Sequence, residues 1–260
     1  MKRVLVACGV VLLLFYGAWI IVIPEDFIIS RVEDSLKARN LGIEATGFKK
    51  GLFFNFTAQR IVLKKMDAIL LSTGEVSGRI NPLNLLLMRI SVSLNGKLSG
   101  GIIRGNVSIS KRKNEAHFFF NDSRLEEMPL LSAAGLSGRG TLSGEFSLND
   151  NSGTIRFTIQ DARIDRKAFS GIMLPLDIFH RVQCSMVISG AVLQVESFSL
   201  EGNDIYARIK GNISNGNMDL VMEVMPGASF RGDALMLALL EQFKVSPGYY
   251  SLPVKGPVLW

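Results

Sequence analysis

From residue 43 onward the chain alternates. Ile90, Val92 and Leu94 are separated by Ser91 and Ser93, and Val107 and Ile109 by Ser108. The same period runs through Phe146-Leu148, Ile155-Phe157-Ile159, Ile205-Ala207-Ile209 and Leu220-Met222-Val224. Successive side chains of a strand leave on opposite faces, so a period of two means half-buried strands and argues against a helical bundle. Turn signals stand between the runs: Asn95-Gly96, Lys113-Asn114, residues 149–153, Gly202-Asn203-Asp204 and Asn215-Gly216-Asn217. Such short connections make neighbouring strands antiparallel.

An aliphatic residue followed by Ser-Gly recurs at Val76, Leu98, Leu136, Leu142 and Ile188, at irregular spacing. Glycine within a strand marks a bulge or bend, so these positions predict a strongly curved, open or half-barrel-like sheet. The fold class expected is mainly β: an N-terminal transmembrane helix, then a curved antiparallel sheet with a few short helices. Ile90, Val92, Leu94, Val107, Ile109, Phe146, Leu148, Ile155, Phe157, Ile159, Ile205, Ile209, Leu220, Met222 and Val224 are predicted to line one apolar groove. Ser91, Ser93, Ser108, Ser110, Thr158 and Arg208 are expected to face water. Three stretches break the alternation and read as helical: residues 82–88, after an Asn81 cap, then 125–134 and 233–243.

Residues 4–23 read VLVACGVVLLLFYGAWIIVI, twenty positions without a charge. At ~1.5 Å per residue they span the roughly 30 Å hydrocarbon core of a bilayer. The run is too long for a signal peptide and lacks an Ala-x-Ala cleavage site, so it is read as a permanent anchor. Lys2 and Arg3 precede it, which favours a cytoplasmic N-terminus and an extracytoplasmic body. Phe27, Ile28, Val32 and Leu36 then recur at helical spacing, with Asn40-Leu41-Gly42 as a stop. The expected organisation is therefore an anchor over 1–23, an amphipathic helix over 24–42 and a β domain over 43–260. That helix lies on the membrane surface or caps the sheet.

The net charge of +6 is spread along the chain, without the basic-aromatic array of a nucleic-acid binder. Cys8 falls inside the anchor, which leaves Cys184 without an intramolecular partner. The two histidines, His117 and His180, sit in no catalytic or metal-ligating motif, and no phosphate loop is present. No catalytic, cofactor or metal residue is predicted, and the protein is not expected to be an enzyme.

Several segments resemble protein N of the bacterial type II secretion system (GspN), within the wider AsmA-like group of inner-membrane-anchored β proteins. They are the anchor, the stop near Leu41-Gly42, Gly47-Phe48 to Leu63, Ile80-Asn81-Pro82-Leu83 and residues 98–105. In the C-terminal half, residues 198–205, 209–213 and 250–256 carry it. The resemblance implies a single-pass protein of the bacterial inner membrane with a periplasmic β domain. Its partners would be other type II secretion components, and it brings no catalytic residues. A rival follows from physics: an apolar sheet face left uncovered by helices could hold acyl chains, as in an AsmA-like lipid-binding or lipid-transfer protein. An outer-membrane barrel would use the same alternation but needs a cleavable signal.

Overall fold

The computed structural model describes residues 16–17, 19, 24–25, 29–30, 33–34, 37, 41–66, 68–111, 113–133, 136–165, 167–169, 172–174, 176–230 and 240–257. The anchor predicted over 4–23 and the helix over 24–42 fall largely outside them. Among the described residues no helix is long and apolar enough to cross a membrane.

The strands follow one another along the chain: β1 (Leu41–Thr46), β2 (Lys49–Lys50), β3 (Asn55–Lys65), β4 (Ala68–Ile80), β5 (Ile90–Leu98), β6 (Gly101–Ile109), β7 (Asn114–Arg124), β8 (Gly138–Asn149) and β9 (Ser152–Ile164). After a two-stranded ribbon of β10 (Lys167–Phe169) and β11 (Ile172–Leu174) come β12 (Phe179–Ser189), β13 (Val192–Gly202), β14 (Ile205–Ser214), β15 (Asn217–Pro226), β16 (Lys244–Ser246) and β17 (Tyr249–Pro257). Fifteen of them form one antiparallel sheet in the order β1-β3-β4-β5-β6-β7-β8-β9-β12-β13-β14-β15-β17-β16, with β2 also paired to β3. Each long strand lies beside its predecessor in this order, as short turns between alternating runs require.

Directly opposed residues in an antiparallel ladder share a face, so the register draws rows across the sheet. One row is Ser123, Leu142, Ile159, Val182, Leu200, Ala207, Val224 and Tyr250, all buried. Leu125 packs on it from the 3-10 turn Leu125–Glu127, as do Met128 and Leu131 just after that turn. Ile178 and Phe179 join from the ribbon's exit, and Phe230 and Leu240 from the β15–β16 connection. These covering segments all belong to connections at the same end of the strands, here called the capped end. At the other end, β8–β9, β12–β13 and β14–β15 are joined by tight turns.

The sheet is not strongly curled, which corrects the half-barrel expectation. Glycine in a strand has uses other than bending. The Phe56 ring lies over Gly78 and the Phe118 ring over Gly105, where a Cβ would stand. At Gly144 a Cβ would meet the Arg156 carbonyl and fall 2.7 Å from the Phe157 Cα, so the requirement is backbone proximity. Gly144→Val should therefore cost about 1–3 kcal/mol through strain, read as a lower urea midpoint of the detergent-solubilised chain. An unchanged midpoint would show that the backbone gives way freely.

Three further expectations need correction. Asn95-Gly96 is not a turn but lies within β5; Ser99 (φ 47°) and Gly100 (φ 76°) make the β5–β6 turn instead. A two-residue hairpin of this twist needs two positive φ values, and Gly100 supplies one without steric cost. The β domain also begins at Leu41 rather than 43, because Leu41 and Gly42 already pair with Lys65 and Lys64. The predicted helix over 125–134 divides at Met128 into a 3-10 turn and the helix Pro129–Ala133, which lies against β4. The helix after Asn81 spans Pro82–Leu86, with the Asn81 side-chain oxygen accepting from the Leu83 amide at 3.0 Å. Most of the helix expected over 233–243 lies outside the described residues.

Candidate functional site

The register puts all fifteen predicted groove residues on one face. Ile159 and Val224 stand in the buried row, with Ile205 beyond them towards the capped end. The next row carries Phe157, Ile209 and Met222; it runs through Phe120, Gly144, Phe157, Cys184, Phe198, Ile209, Met222 and Leu252. Here the Phe157 and Phe198 rings meet edge to face at 6.3 Å, and both pack on the core.

A third row contains Leu94, Phe146, Ile155 and Leu220. In full it is Phe56, Gly78, Leu94, Gly105, Phe118, Phe146, Ile155, Met186, Val195, Gly211, Leu220 and Val254, from β3 to β17. Val92, Val107 and Leu148 belong to a fourth, from Ile80 to Gly256, and Ile90 pairs with Ile109 in a fifth. The second to fourth rows hold no charged side chain and no hydroxyl or amide. At strand spacings of about 4.8 Å the third row is roughly 50 Å long.

Cover is uneven along these rows. Val195 and Leu220 are buried, whereas Phe56, Leu94, Phe118, Phe146, Ile155 and Met186 are half-buried and Ile90 and Ile109 exposed. The Phe118 and Phe146 rings stack at 6.4 Å in this less covered part. The fifteen residues thus divide into a packed core near the capped end and an apolar face open towards the tight turns. Sequence reading took Ile159, Ile205 and Val224 for groove, although they are core. Val182, Leu200, Phe179 and Leu125 share that core and stand outside the predicted set; the alternation Val182-Cys184-Met186 is the signal for the first of them.

The opposite face is polar. Ser91, Ser93, Ser108, Thr158 and Arg208 lie on it, and Ser110 in the turn after β6; Ser93 is exposed and the others half-buried. At its centre is a depression of ≈ 530 Å³ lined by Phe119, Ser143, Glu145, Arg156, Thr158 and Gln183, among others. Nearer β17, Glu223 is 8% exposed and accepts from Lys210 Nζ at 2.5 Å and Tyr249 Oη at 3.0 Å. The Lys210 hydrogen bond holds this carboxyl below the usual carboxylate range, with Tyr249 adding to it, and the same carboxylate pushes the Tyr249 phenol up. A depressed folded pKa stabilises the fold above the unfolded value of about 4.3, and that contribution disappears as pH falls through the folded value. Glu223→Gln should accordingly flatten the loss of stability on acidification, compared by urea midpoints from neutral pH to pH 3. An equally steep loss in the variant would exclude Glu223 as a source of it.

Among the described residues no group of three His, Cys, Asp or Glu is placed to hold a metal ion. Cys184 is buried on the apolar side, where desolvation raises its thiol to about 12, far from a reactive thiolate. What the arrangement offers chemically is apolar area and shape. Comparison of the chain with protein families, characterised proteins and solved structures returns no match.

Proposed function

We propose that this protein is a non-catalytic accessory component of type II secretion, anchored in the bacterial inner membrane. On this reading the open part of its apolar sheet face receives another secretion component in the periplasm. The observation that carries a binding role is the half-buried third row, in which Phe118, Phe146 and Ile155 stand side by side on β7, β8 and β9 and Leu94 of β5 lies across Gly105 of β6, with no polar group among them. Apolar side chains left only partly covered in one contiguous row suit an interaction surface. The secretion context rests on the sequence resemblance.

The experiment has two parts. Deleting the gene should impair export of folded exoproteins while bulk envelope lipids stay normal. A photo-reactive residue at Phe118 or Phe146 should then capture a secretion component in cells. Normal export in the deletion strain would overturn the secretion reading. The lipid-binding alternative is favoured by the unbroken apolar character of the second to fourth rows, which suits an acyl chain laid across strands. It predicts lipid adducts at the same positions and altered outer-membrane permeability.

A further inference from the structure

The turn-side edge of the sheet at β3 to β6 is unusual. Leu52 and Phe53 precede β3, Leu83 lies in the helix Pro82–Leu86, and Leu87 and Met88 follow it. Their exposures run from 61% to 79%, and the strand-end pair Ile90–Ile109 adds 47% and 49%. These residues are neighbours: Phe54 accepts from the Ile80 amide at the end of β4, next to Asn81 and Pro82, and Ile90 pairs with Ile109. Among the described residues the other exposed large apolar side chains stand singly or in twos, such as the Tyr206–Met225 pair, so a rim of seven is a larger patch than any of them and needs an occupant.

Two independent features say which one. The first is continuity with the apolar run 4–23. Tyr16 packs on Phe53 with ring centroids 5.7 Å apart, and Trp19 on Phe54 at 5.4 Å. Trp19 donates its indole N–H to the Gly51 carbonyl at 3.1 Å, and Lys50 Nζ stands 5.6 Å over the indole ring. Tyr16 and Trp19 lie in the second half of a run long enough to span a bilayer, seven and four residues before its end at position 23. Phe53 and Phe54 are therefore held beside the half of that run from which the β domain emerges.

The second is charge. Arg79, Arg89, Lys111 and Lys113 surround the rim, and Glu115 is the acid that pairs with Arg89 and Lys113. Arg79 also lines a hollow of ≈ 320 Å³ together with Asn81, Pro82, Leu83 and Ser93, beside the apolar residues. Apolar side chains ringed by cations match the boundary between acyl chains and anionic headgroups.

We infer that the rim formed by Leu52, Phe53, Leu83, Leu87, Met88 and the Ile90–Ile109 pair docks into the surface of an anionic lipid bilayer. The sheet then stands on the membrane with its tight turns down and its capped end away. This goes beyond the proposed function and does not depend on secretion; it rests on the membrane span read from residues 4–23.

The test uses the full-length chain with Cys8→Ser, in vesicles of phosphatidylethanolamine and phosphatidylglycerol containing a fraction of spin-labelled lipid. A bimane fluorophore is attached through Leu87→Cys or, as control, Val245→Cys, which is 64% exposed at the capped end. Cys184 is buried and escapes labelling. Bimane at position 87 should be quenched by the spin label several-fold more than at position 245. In phosphatidylcholine vesicles, or with Lys111→Glu and Lys113→Glu together, quenching at 87 should fall towards the control. Equal quenching at 87 and 245 would overturn the proposal, as would quenching at 87 that the charge reversals leave unchanged. Both label sites are exposed, and resistance of the β domain to trypsin confirms that each labelled chain is folded.

Discussion

Val182→Asp should leave no folded sheet. Val182 is 0% exposed and stands mid-row between Ile159 and Leu200, with apolar neighbours on both sides. Among the described residues the buried polar side chains are Thr73, Ser123 and Glu223, so no buried cation is at hand to pair with a carboxylate. An uncompensated buried charge costs about 3–5 kcal/mol, and the aspartate also forfeits the packing of the valine. Domains are stable by only about 5–15 kcal/mol, so the buried charge and the lost valine packing together exhaust the margin of a domain at the lower end of that range. Limited proteolysis of the detergent-solubilised protein should show the 41–257 region digested without a protected core. Wild-type resistance would mean that the row is not closed and that Leu125 and Leu240 do not cover it.

Leu125→Ala should be the second most damaging change. Leu125 is 2% exposed, comes from a connecting 3-10 turn rather than a strand, and is the side chain that presses this connection onto the core. A buried Leu→Ala costs about 2–5 kcal/mol, from the lost transfer energy and the cavity left behind. Because Met128 and Leu131 pack on the same cluster from the adjoining residues, loosening the turn exposes more than one side chain. The urea midpoint should drop clearly and binding of an apolar dye should rise. Phe118→Ala, on the open part of the face, should shift the midpoint much less. If Phe118→Ala proved the more destabilising, the open and packed parts would have been assigned the wrong way round.

The apolar face was legible because period-two alternation survives without knowledge of partners. Ile155-Phe157-Ile159 and Leu220-Met222-Val224 each determine their own parity, and short turns carry that parity to the next strand. Which part of the face is covered was not legible. The cover comes from Leu125, Met128, Phe230 and Leu240 in connections whose place over the sheet is set by tertiary packing, and no local pattern encodes that. Curvature was misread for a related reason. Gly78 and Gly105 accommodate rings, Gly144 a neighbouring backbone and Gly100 a turn, so one residue type has several causes that a sequence does not separate.

A sheet in which each strand joins its predecessor has no intrinsic length. Barrel closure fixes the number of strands, and a parallel sheet fixes its order through crossovers. Here an additional hairpin between β14 and β15 would repeat the same parity and continue every row unbroken. Such a chain can lengthen or shorten by duplication or loss of hairpins while its two ends stay as they are. The distance from the Leu52–Phe53 corner to the Pro253- and Pro257-bearing final strand is then an adjustable dimension, changing by roughly 10 Å for every hairpin added or removed.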